Sequence, residues 1–270
     1  MCLAVLGLDA HPLFTLVIAA NRDEHYDRAT APAQWWPEGW LAGRDLDAGG
    51  TWLGVNARGR WALLTNVRES RRRPDAPTRG ALVTDVLADA RPPRDALAAW
   101  APRVHDYNGF NLLAGIAGRG AWMSNRMTAH APAAGGRAAG RRHDSDDNVR
   151  SIGPGTHAIS NAALDTPWLK VVNTRRRFDE WCAHGEADPE PLFVALASRE
   201  QANDDALPCT GVTIERERLL SSPFVVTPDY GTRCSTVVLM HRDGTAYFEE
   251  RTFARGGDPA GVVRHRFALT

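Results

Sequence analysis

The chain has 270 residues, 43% of them hydrophobic, which is enough to bury one sizeable core. Its 32 Lys and Arg residues balance 32 Asp and Glu residues, and its isoelectric point is near 7.1. A chain without net charge has no overall attraction for nucleic acid, so we expect no nucleic-acid partner. Neither an internal repeat nor a domain boundary is evident, and residues 1–270 are expected to form a single domain.

The cysteines and the apolar runs predict the compartment. Cys2, Cys182, Cys209 and Cys234 are widely spaced and include no C-x-x-C pair. This spacing predicts neither a zinc site nor a disulfide framework, and it suits a reducing environment. The longest apolar run, residues 13–20, is too short to span a bilayer and follows no basic segment of a signal peptide. We therefore expect a cytoplasmic protein with no integral membrane segment, no metal and no cofactor.

The pattern of apolar residues predicts the elements in chain order. They are a hairpin of residues 3–8 and 14–20, a second hairpin of 52–56 and 61–67, helices over 79–90 and 94–100, a strand pair at 111–117 and 121–124, a strand at 156–160, helices over 167–181 and 191–198, and strands at 224–227, 235–241 and 245–251. Residues 130–148 have no apolar period and predict a mobile loop. Strand pairs followed by helices and more strands are typical of the α+β class or of layered α/β/β/α packing.

Cys2 becomes the first residue of the chain if Met1 is removed. A thiol and an α-amine would then share one residue, with ordinary pKa values of roughly 8.5 and roughly 7.7–8.0. The amine can take the thiol proton and return it to a leaving group, which is the task of histidine at other nucleophile sites. The competing interpretation is a buried cysteine without a catalytic role.

Four polar residues follow the second predicted strand: Asn21, Arg22, Asp23 and Glu24. In an antiparallel hairpin this strand end lies beside Cys2, where Arg22 would favour the thiolate and Asp23 would hold the α-ammonium. Strand alternation places Arg22 and Glu24 on one face and Asp23 on the other, so both roles require a turn or a bulge. The alternative is a set of solvated turn residues.

Other polar residues also end predicted strands. Asn66, Asn125 and Asn161 each carry an amide that is able to stabilise an oxyanion, although turn chemistry is the simpler explanation for any one of them. Arg233 precedes a β-branched strand and is either a carboxylate-binding residue or an ordinary edge arginine.

Together these segments resemble the NRDE family, which is the transport and Golgi organisation family. The matching segments are Met1-Cys2 and residues 21–24 (NRDE), 49–54 (GGTWLG), 64–68 (LTNVR), 107–112 (YNGFNL), 157–161 (HAISN), 166–168 (TPW) and 230–236 (YGTRCST). The resemblance runs from residue 1 to about residue 253 and so covers nearly the whole chain. It implies an N-terminal-nucleophile hydrolase fold, with two stacked antiparallel sheets between helical layers. A more distant likeness is to the choloylglycine hydrolase and penicillin V acylase group.

That likeness implies roles for individual residues. Cys2 would be the nucleophile with its own amine as base, and Arg22 and Asp23 would tune and orient it. The oxyanion would rest on Asn161, helped by Asn66.

Three further residues, Asn21, Glu24 and Trp52, are expected on the substrate side, and Arg233 is expected to support the site. In the acylase group the arginine and the aspartate are separated in sequence, whereas Arg22 and Asp23 are adjacent. Glu24 therefore stays open as an alternative to Asp23.

Two functions follow from these observations. The first is an N-terminal-cysteine amidohydrolase that acts on a small acylated compound. The second is a non-catalytic protein of the same fold that binds or carries a lipid or haem, with Cys2, His11 or His157 as possible ligands of the iron. The tryptophans either line an apolar acyl pocket or pack in the core; they are Trp35, Trp36, Trp40, Trp52 and Trp61.

Overall fold

The computed structural model describes residues 2–70, 73–126 and 148–270, and two antiparallel sheets form its centre. In spatial order, the six described strands of the first sheet are β10 (Gly155–Ile159), β1 (Cys2–Leu8), β2 (Phe14–His25), β11 (Tyr230–His241), β12 (Thr245–Phe253) and β13 (Pro259–Ala268). The seven described strands of the second sheet follow chain order: β3 (Thr30–Trp35), β4 (Trp40–Asp45), β5 (Leu53–Asn56), β6 (Arg60–Asn66), β7 (Phe110–Ile116), β8 (Arg119–Ser124) and β9 (Val149–Ile152).

Helices cover the outer faces of both sheets. α1 (Gly80–Ala88) and α2 (Pro93–Ala98) pack on the second sheet, whereas α3 (Leu169–His184) and α4 (Glu190–Leu196) pack on the first. A short helix, α5 (Ile214–Leu219), precedes β11. The order of layers is therefore helix, sheet, sheet, helix, and the predicted α/β/β/α fold is confirmed.

Three clusters of buried apolar side chains hold the layers together. Leu6, Ile18 and Trp61 belong to the cluster between the two sheets. A second cluster joins the second sheet to α1 and α2, and a third joins the first sheet to α3 and α4. Residues 3–8 of β1 are all buried because the strand is covered on both faces. A strand in this position has a continuous run of apolar residues.

Most predicted elements are present with shifted ends, but one predicted strand is wrong. Residues 224–227 form only an isolated bridge between Val226 and Gly231. The chain turns back at once, because Thr232 bonds Val225 through its backbone N–H and its hydroxyl, at 2.8 and 2.9 Å. Strands β3, β4, β9 and β13 lack a strong apolar run and were not predicted.

Two expectations concern the loop and the membrane. The predicted mobile loop, residues 130–148, lies outside the described residues apart from Asn148. Among the described helices, none combines the length and the apolar composition needed to cross a bilayer.

Candidate active site

Antiparallel pairing of β1 with β2 places Cys2 directly opposite Arg22. Residues opposite each other point to the same side of a sheet, and neighbours along a strand point to opposite sides. Cys2, Arg22 and Glu24 therefore share the side that faces the second sheet, which we call the pocket face. Asn21 and Asp23 lie on the side that faces α3 and α4, which we call the rear face.

The turn or bulge expected at residues 21–24 is wrong, because β2 is regular there and the irregularity lies instead in β11, the other neighbour of β2. Asp23 pairs with Thr232 and Arg22 pairs with Cys234, so Arg233 is an extra residue in β11. Such a bulge bends a strand and re-aims its side chains. It lets the Thr232 hydroxyl donate to the Asp23 carboxylate at 2.7 Å, while β2 itself keeps its regular alternation.

A polar pocket of about 240 Å³ opens on the pocket face. Its lining includes three arginines, the acidic residues Glu24 and Asp45, Asp23 from the rear face, and only one large aromatic side chain. The lining residues are Cys2, Arg22, Asp23, Glu24, Arg28, Asp45, Thr51, Trp52, Leu64, Asn66, Ala76, Pro77, Thr78, Arg79, Gly80 and Asn108.

The charges of the pocket are arranged in pairs. The Arg22 guanidinium lies 4.4 Å from the centre of the Trp52 ring and 4.0 Å from the Glu24 carboxylate. Arg28 and Asp45 form an ion pair with an N–O distance of 2.8 Å. Positive and negative groups are thus both fixed in the wall, which favours a polar ligand over an apolar one.

Glycines let the walls of the pocket approach closely. A Cβ atom at Gly43 would lie 2.3 Å from the Trp52 ring, so only glycine leaves room for that indole. A Cβ atom at Gly50 would lie 2.4 Å from the carbonyl carbon of Gly80, at the start of α1. The close backbone approach allows the Thr51 N–H to donate to the Gly80 carbonyl at 3.3 Å. The start of α1 is in this way joined to the strand segment that carries Trp52.

Opposing effects act on the Cys2 thiol. Burial raises its pKa and Asp23 adds to that effect, whereas the N-terminal ammonium, the Arg22 guanidinium and the Asp23 backbone N–H lower it. Burial is the largest effect, so the pKa of Cys2 lies above its ordinary value. Arg22 alone does not produce the resting thiolate that the sequence suggested, and activation of this thiol requires a base.

The candidate oxyanion asparagines occupy different positions. Asn66 lines the pocket, whereas Asn161 is fully buried beside it. The Asn161 side-chain amide donates to the Asn66 carbonyl at 2.8 Å, which links the two residues. The neighbouring Ser160 hydroxyl donates to the Cys2 carbonyl at 2.9 Å. Asn125 bonds the Phe110 N–H at 2.8 Å and belongs to the core of the second sheet.

Besides Asn161, two further predicted site residues do not line the pocket. The Asn21 amide donates to the carbonyls of Leu196 and Pro223, both at 2.9 Å, and thus fastens β2 to the α4 layer. Arg233 donates to the carbonyl of His25 at 2.8 Å and to that of Arg28 at 3.0 Å. It therefore braces the turn between β2 and β3, which carries Arg28 to the pocket.

Most of the tryptophans expected to line an acyl pocket, and both histidines considered as haem ligands, lie away from the pocket. Of the five tryptophans, all within the described residues, only Trp52 lines the pocket. Trp36, Trp40 and Trp61 pack in the core, and Trp35 lies at an exposed edge. His11 is stacked on Trp181, and His157 bonds Asp165 at 2.9 Å, so neither faces the pocket. The described residues contain no group of three or more His, Cys, Asp or Glu side chains suited to hold a metal ion.

Sequence reasoning missed several pocket residues. Arg28 and Asp45 come from separate strand ends and meet only because β3 pairs with β4. Residues 76–80 reach the pocket through the contact between Gly50 and Gly80. The only sequence signal for this wall is the Gly-Gly-Thr-Trp segment at 49–52, which gives no indication of its partner.

The solved structures similar to this chain include two distant proteins. An N-acylethanolamine-hydrolysing acid amidase ortholog from Caenorhabditis elegans is 13% identical, with a TM-score of 0.48 over 88% of this chain and 92% of that chain. A conjugated bile acid hydrolase from Clostridium perfringens is 9% identical, with a TM-score of 0.48 over 100% of this chain and 98% of that chain.

Sequence similarity is much closer. Homologues named Transport and Golgi organization protein 2 are 34% identical in Bos taurus, over 100% of this chain and 99% of the relative, and 32% identical in Homo sapiens, over 93% of each. The Drosophila melanogaster protein of that name is 26% identical over 97% of this chain and 95% of its own length. Residues 1–255 match the family described as Transport and Golgi organisation 2. The chain belongs to the Transport and Golgi organisation 2 family.

Proposed function

We propose that this protein is an N-terminal-cysteine amidohydrolase that acts on a small, polar acylated compound. The observation that carries the proposal is the position of Cys2 in a charged pocket, directly opposite Arg22 in the strand register. The mechanism requires that Met1 be removed, so that Cys2 supplies both the nucleophile and the base.

The proposed reaction begins with proton transfer from the Cys2 thiol to its own α-amine. The sulfur attacks the amide carbonyl and forms a tetrahedral oxyanion, which then collapses to a thioester as the C–N bond breaks. The α-ammonium returns the proton to the departing amine. Water then attacks the thioester, with the α-amine as base, and releases the carboxylic acid and the free thiol.

The oxyanion requires a hydrogen-bond donor in the pocket. Asn66 is the residue we assign to this role, because it lines the pocket beside Cys2. Asn161 is a positioning residue in this proposal, since its amide bonds the backbone of Asn66 and its neighbour Ser160 bonds that of Cys2. Asp23 is assigned to hold the α-ammonium, and Glu24, which is close to Arg22, is assigned to the substrate side.

The lining of the pocket narrows the class of substrate. Arg28 and Asp45 pair with each other, and Arg22 lies near Glu24, so a ligand meets fixed charges of both signs. The volume of about 240 Å³ suits a compound smaller than a typical drug-sized ligand. A long acyl chain or a haem would need a larger apolar surface than Trp52 and Leu64 supply.

Intact-mass analysis before and after brief treatment with limiting iodoacetamide tests this mechanism. We expect Met1 to be absent and Cys2 to be alkylated faster than Cys209, which is the exposed thiol and serves as the internal reference. Because burial raises the pKa of the Cys2 thiol, fast labelling depends on the free α-amine as base, and molecules that retain Met1 should react slowly. A Cys2→Ala variant should lose the fast phase and keep the labelling of Cys209.

A panel of small acylated amino compounds then tests turnover, with Cys2→Ala as control. Retained Met1, or a Cys2 thiol slower than Cys209, contradicts the hydrolase mechanism. That outcome would favour the non-catalytic alternative, which retention of a lipid or haem by the purified protein would support.

A further inference from the structure

The rear face of the site contains a buried lysine. Lys170 is the only lysine of the chain, and it lies in the first turn of α3, the helix that packs on β1 and β10. Only 2% of its surface is exposed. Lysine is almost never fully buried unless it is paired, so this position calls for a specific electrostatic reason.

The surroundings of this amine contain charges but no hydrogen-bond partner. Among the described residues, the Lys170 amine has no hydrogen-bond acceptor. Charged or titratable groups act on it from four packed segments, and they are Cys2 of β1, Asp23 of β2, Arg68 after β6 and Glu217 of α5.

Two of those four groups neutralise each other. Arg68 and Glu217 form a buried ion pair, and each side chain is 3% exposed. Arg68 also lies over the Trp168 ring, with 4.8 Å between the guanidinium and the ring centre. The Asp23 carboxylate, which is 2% exposed, is therefore the negative group that the Lys170 charge balances most directly. Thr232 is uncharged, so its hydroxyl satisfies an oxygen of Asp23 without balancing the charge.

The titration of both groups agrees with this arrangement. Burial and, to a smaller extent, Arg68 lower the pKa of Lys170, whereas Asp23, Cys2 and Glu217 oppose that change, and the net value is about 8. Burial also raises the pKa of Asp23, while the N-terminal ammonium, then Lys170 and then the Thr232 hydroxyl lower it. Each of the two groups thus favours the charged form of the other.

We propose that Lys170 is a positioning residue of the Cys2 site, whose buried ammonium balances Asp23 from the rear face and keeps that carboxylate ionised. The inference rests on the proposed function in one respect, namely that an ionised Asp23 is needed to hold the α-ammonium of Cys2. Loss of the lysine proton would leave Asp23 as a buried charge with less compensation, and its hold on the Cys2 amine would weaken.

A single lysine makes the proposal directly measurable. Protein labelled with ε-¹³C-lysine should give one side-chain resonance, and we expect it to titrate with a midpoint near 8 in the intact chain. An ordinary lysine titrates at roughly 10.4. Asp23→Asn should lower the midpoint further, because it removes an attractive negative charge. Asp179→Asn is the matched control, since Asp179 lies on the exposed side of the same helix and should leave the midpoint unchanged.

The pH profile of Cys2 alkylation provides the second measurement. We expect Lys170→Met to change the shape of this profile between pH 7 and pH 9 and to slow alkylation at pH 7 by at least about threefold. Three outcomes would each overturn the proposal: a lysine midpoint near 10.4, a midpoint unchanged by Asp23→Asn, or identical alkylation profiles for the wild type and Lys170→Met. The lysine titration requires no turnover, so it can be interpreted even if the hydrolase mechanism fails. The wild-type titration also does not depend on any variant being folded.

Discussion

The two faces of β2 carry charged residues in very different surroundings. On the pocket face, Arg22 is only 5% exposed, but it lies near Trp52 and the partly exposed Glu24 at the edge of an open cavity. On the rear face, Asp23 and Lys170 lie with a buried ion pair beneath the helical layer. Charges near water are screened, so removing one changes the free energy of unfolding little. Charges buried away from water are stabilised only by their partners, so removing one partner is strongly destabilising. The pocket face is therefore suited to select a ligand, and the rear face to fix stability and protonation.

The largest expected effect comes from the rear-face ion pair. Arg68→Met should lower the free energy of unfolding by about 3–5 kcal/mol, because it leaves the Glu217 carboxylate buried without its partner. Urea denaturation is the measurement. The control is Arg176→Met, which breaks a pair with Glu180 whose side chains are 60% and 53% exposed, and should change stability by about 0.5 kcal/mol or less. Equal losses of unfolding free energy in the two variants would contradict the contrast between buried and exposed charges.

A smaller effect is expected from the pH dependence of Lys170. The folded-state pKa of about 8 lies below the ordinary value for lysine, so between these two values the unfolded chain keeps a proton that the folded chain has lost. Stability should therefore rise with pH through this window. From pH 7 to pH 9.5 the free energy of unfolding of the wild type should gain about 2 kcal/mol relative to Lys170→Met. Comparing the two chains removes the shared titration of Tyr and Cys residues, and parallel curves would rule out a buried, titrating amine.

The smallest effect on stability is expected on the pocket face. Arg22→Gln removes a positive charge that lowers the pKa of the Cys2 thiol, so alkylation of Cys2 at pH 7 should slow by about threefold to tenfold. Unfolding should change by only about 1 kcal/mol, through the lost stacking on Trp52. Arg44→Gln is the matched control, because Arg44 stacks on Trp36 at 4.5 Å outside the pocket. Equal alkylation rates in both variants would show that Arg22 does not act on the thiol.

Local pattern was sufficient to predict the part of the site that the first hairpin builds. Antiparallel pairing alone brings Arg22 opposite Cys2, and strand alternation correctly separates Asp23 from Arg22, but the turn or bulge expected within residues 21–24 is wrong. The sequence did not reveal that the bulge lies in β11, some 200 residues later. It also gave no indication of Arg28 or Lys170, because their positions depend on the pairing of distant strands and on the docking of α3.

The apolar patterns predict the layers better than they predict the ligand chemistry. Buried runs such as residues 3–8 require cover on both faces, and this requirement leads to the four-layer arrangement. The tryptophans suggested an apolar pocket, yet packing places Trp36 and Trp61 in the core. Part of the polarity of the pocket comes from Arg28, Asp45 and Arg79, which approach it only in the folded chain.

The burial of the only lysine also has a practical consequence for amine chemistry. An acylating reagent such as an N-hydroxysuccinimide ester attacks unprotonated amines that it can reach, and the ε-amine of Lys170 is enclosed by α3 and the first sheet. The native surface therefore offers the reagent no lysine, and the α-amine at the start of the chain becomes the site for selective attachment of a probe. A fluorophore attached there would lie next to the proposed nucleophile, so its emission would report directly on what enters the pocket.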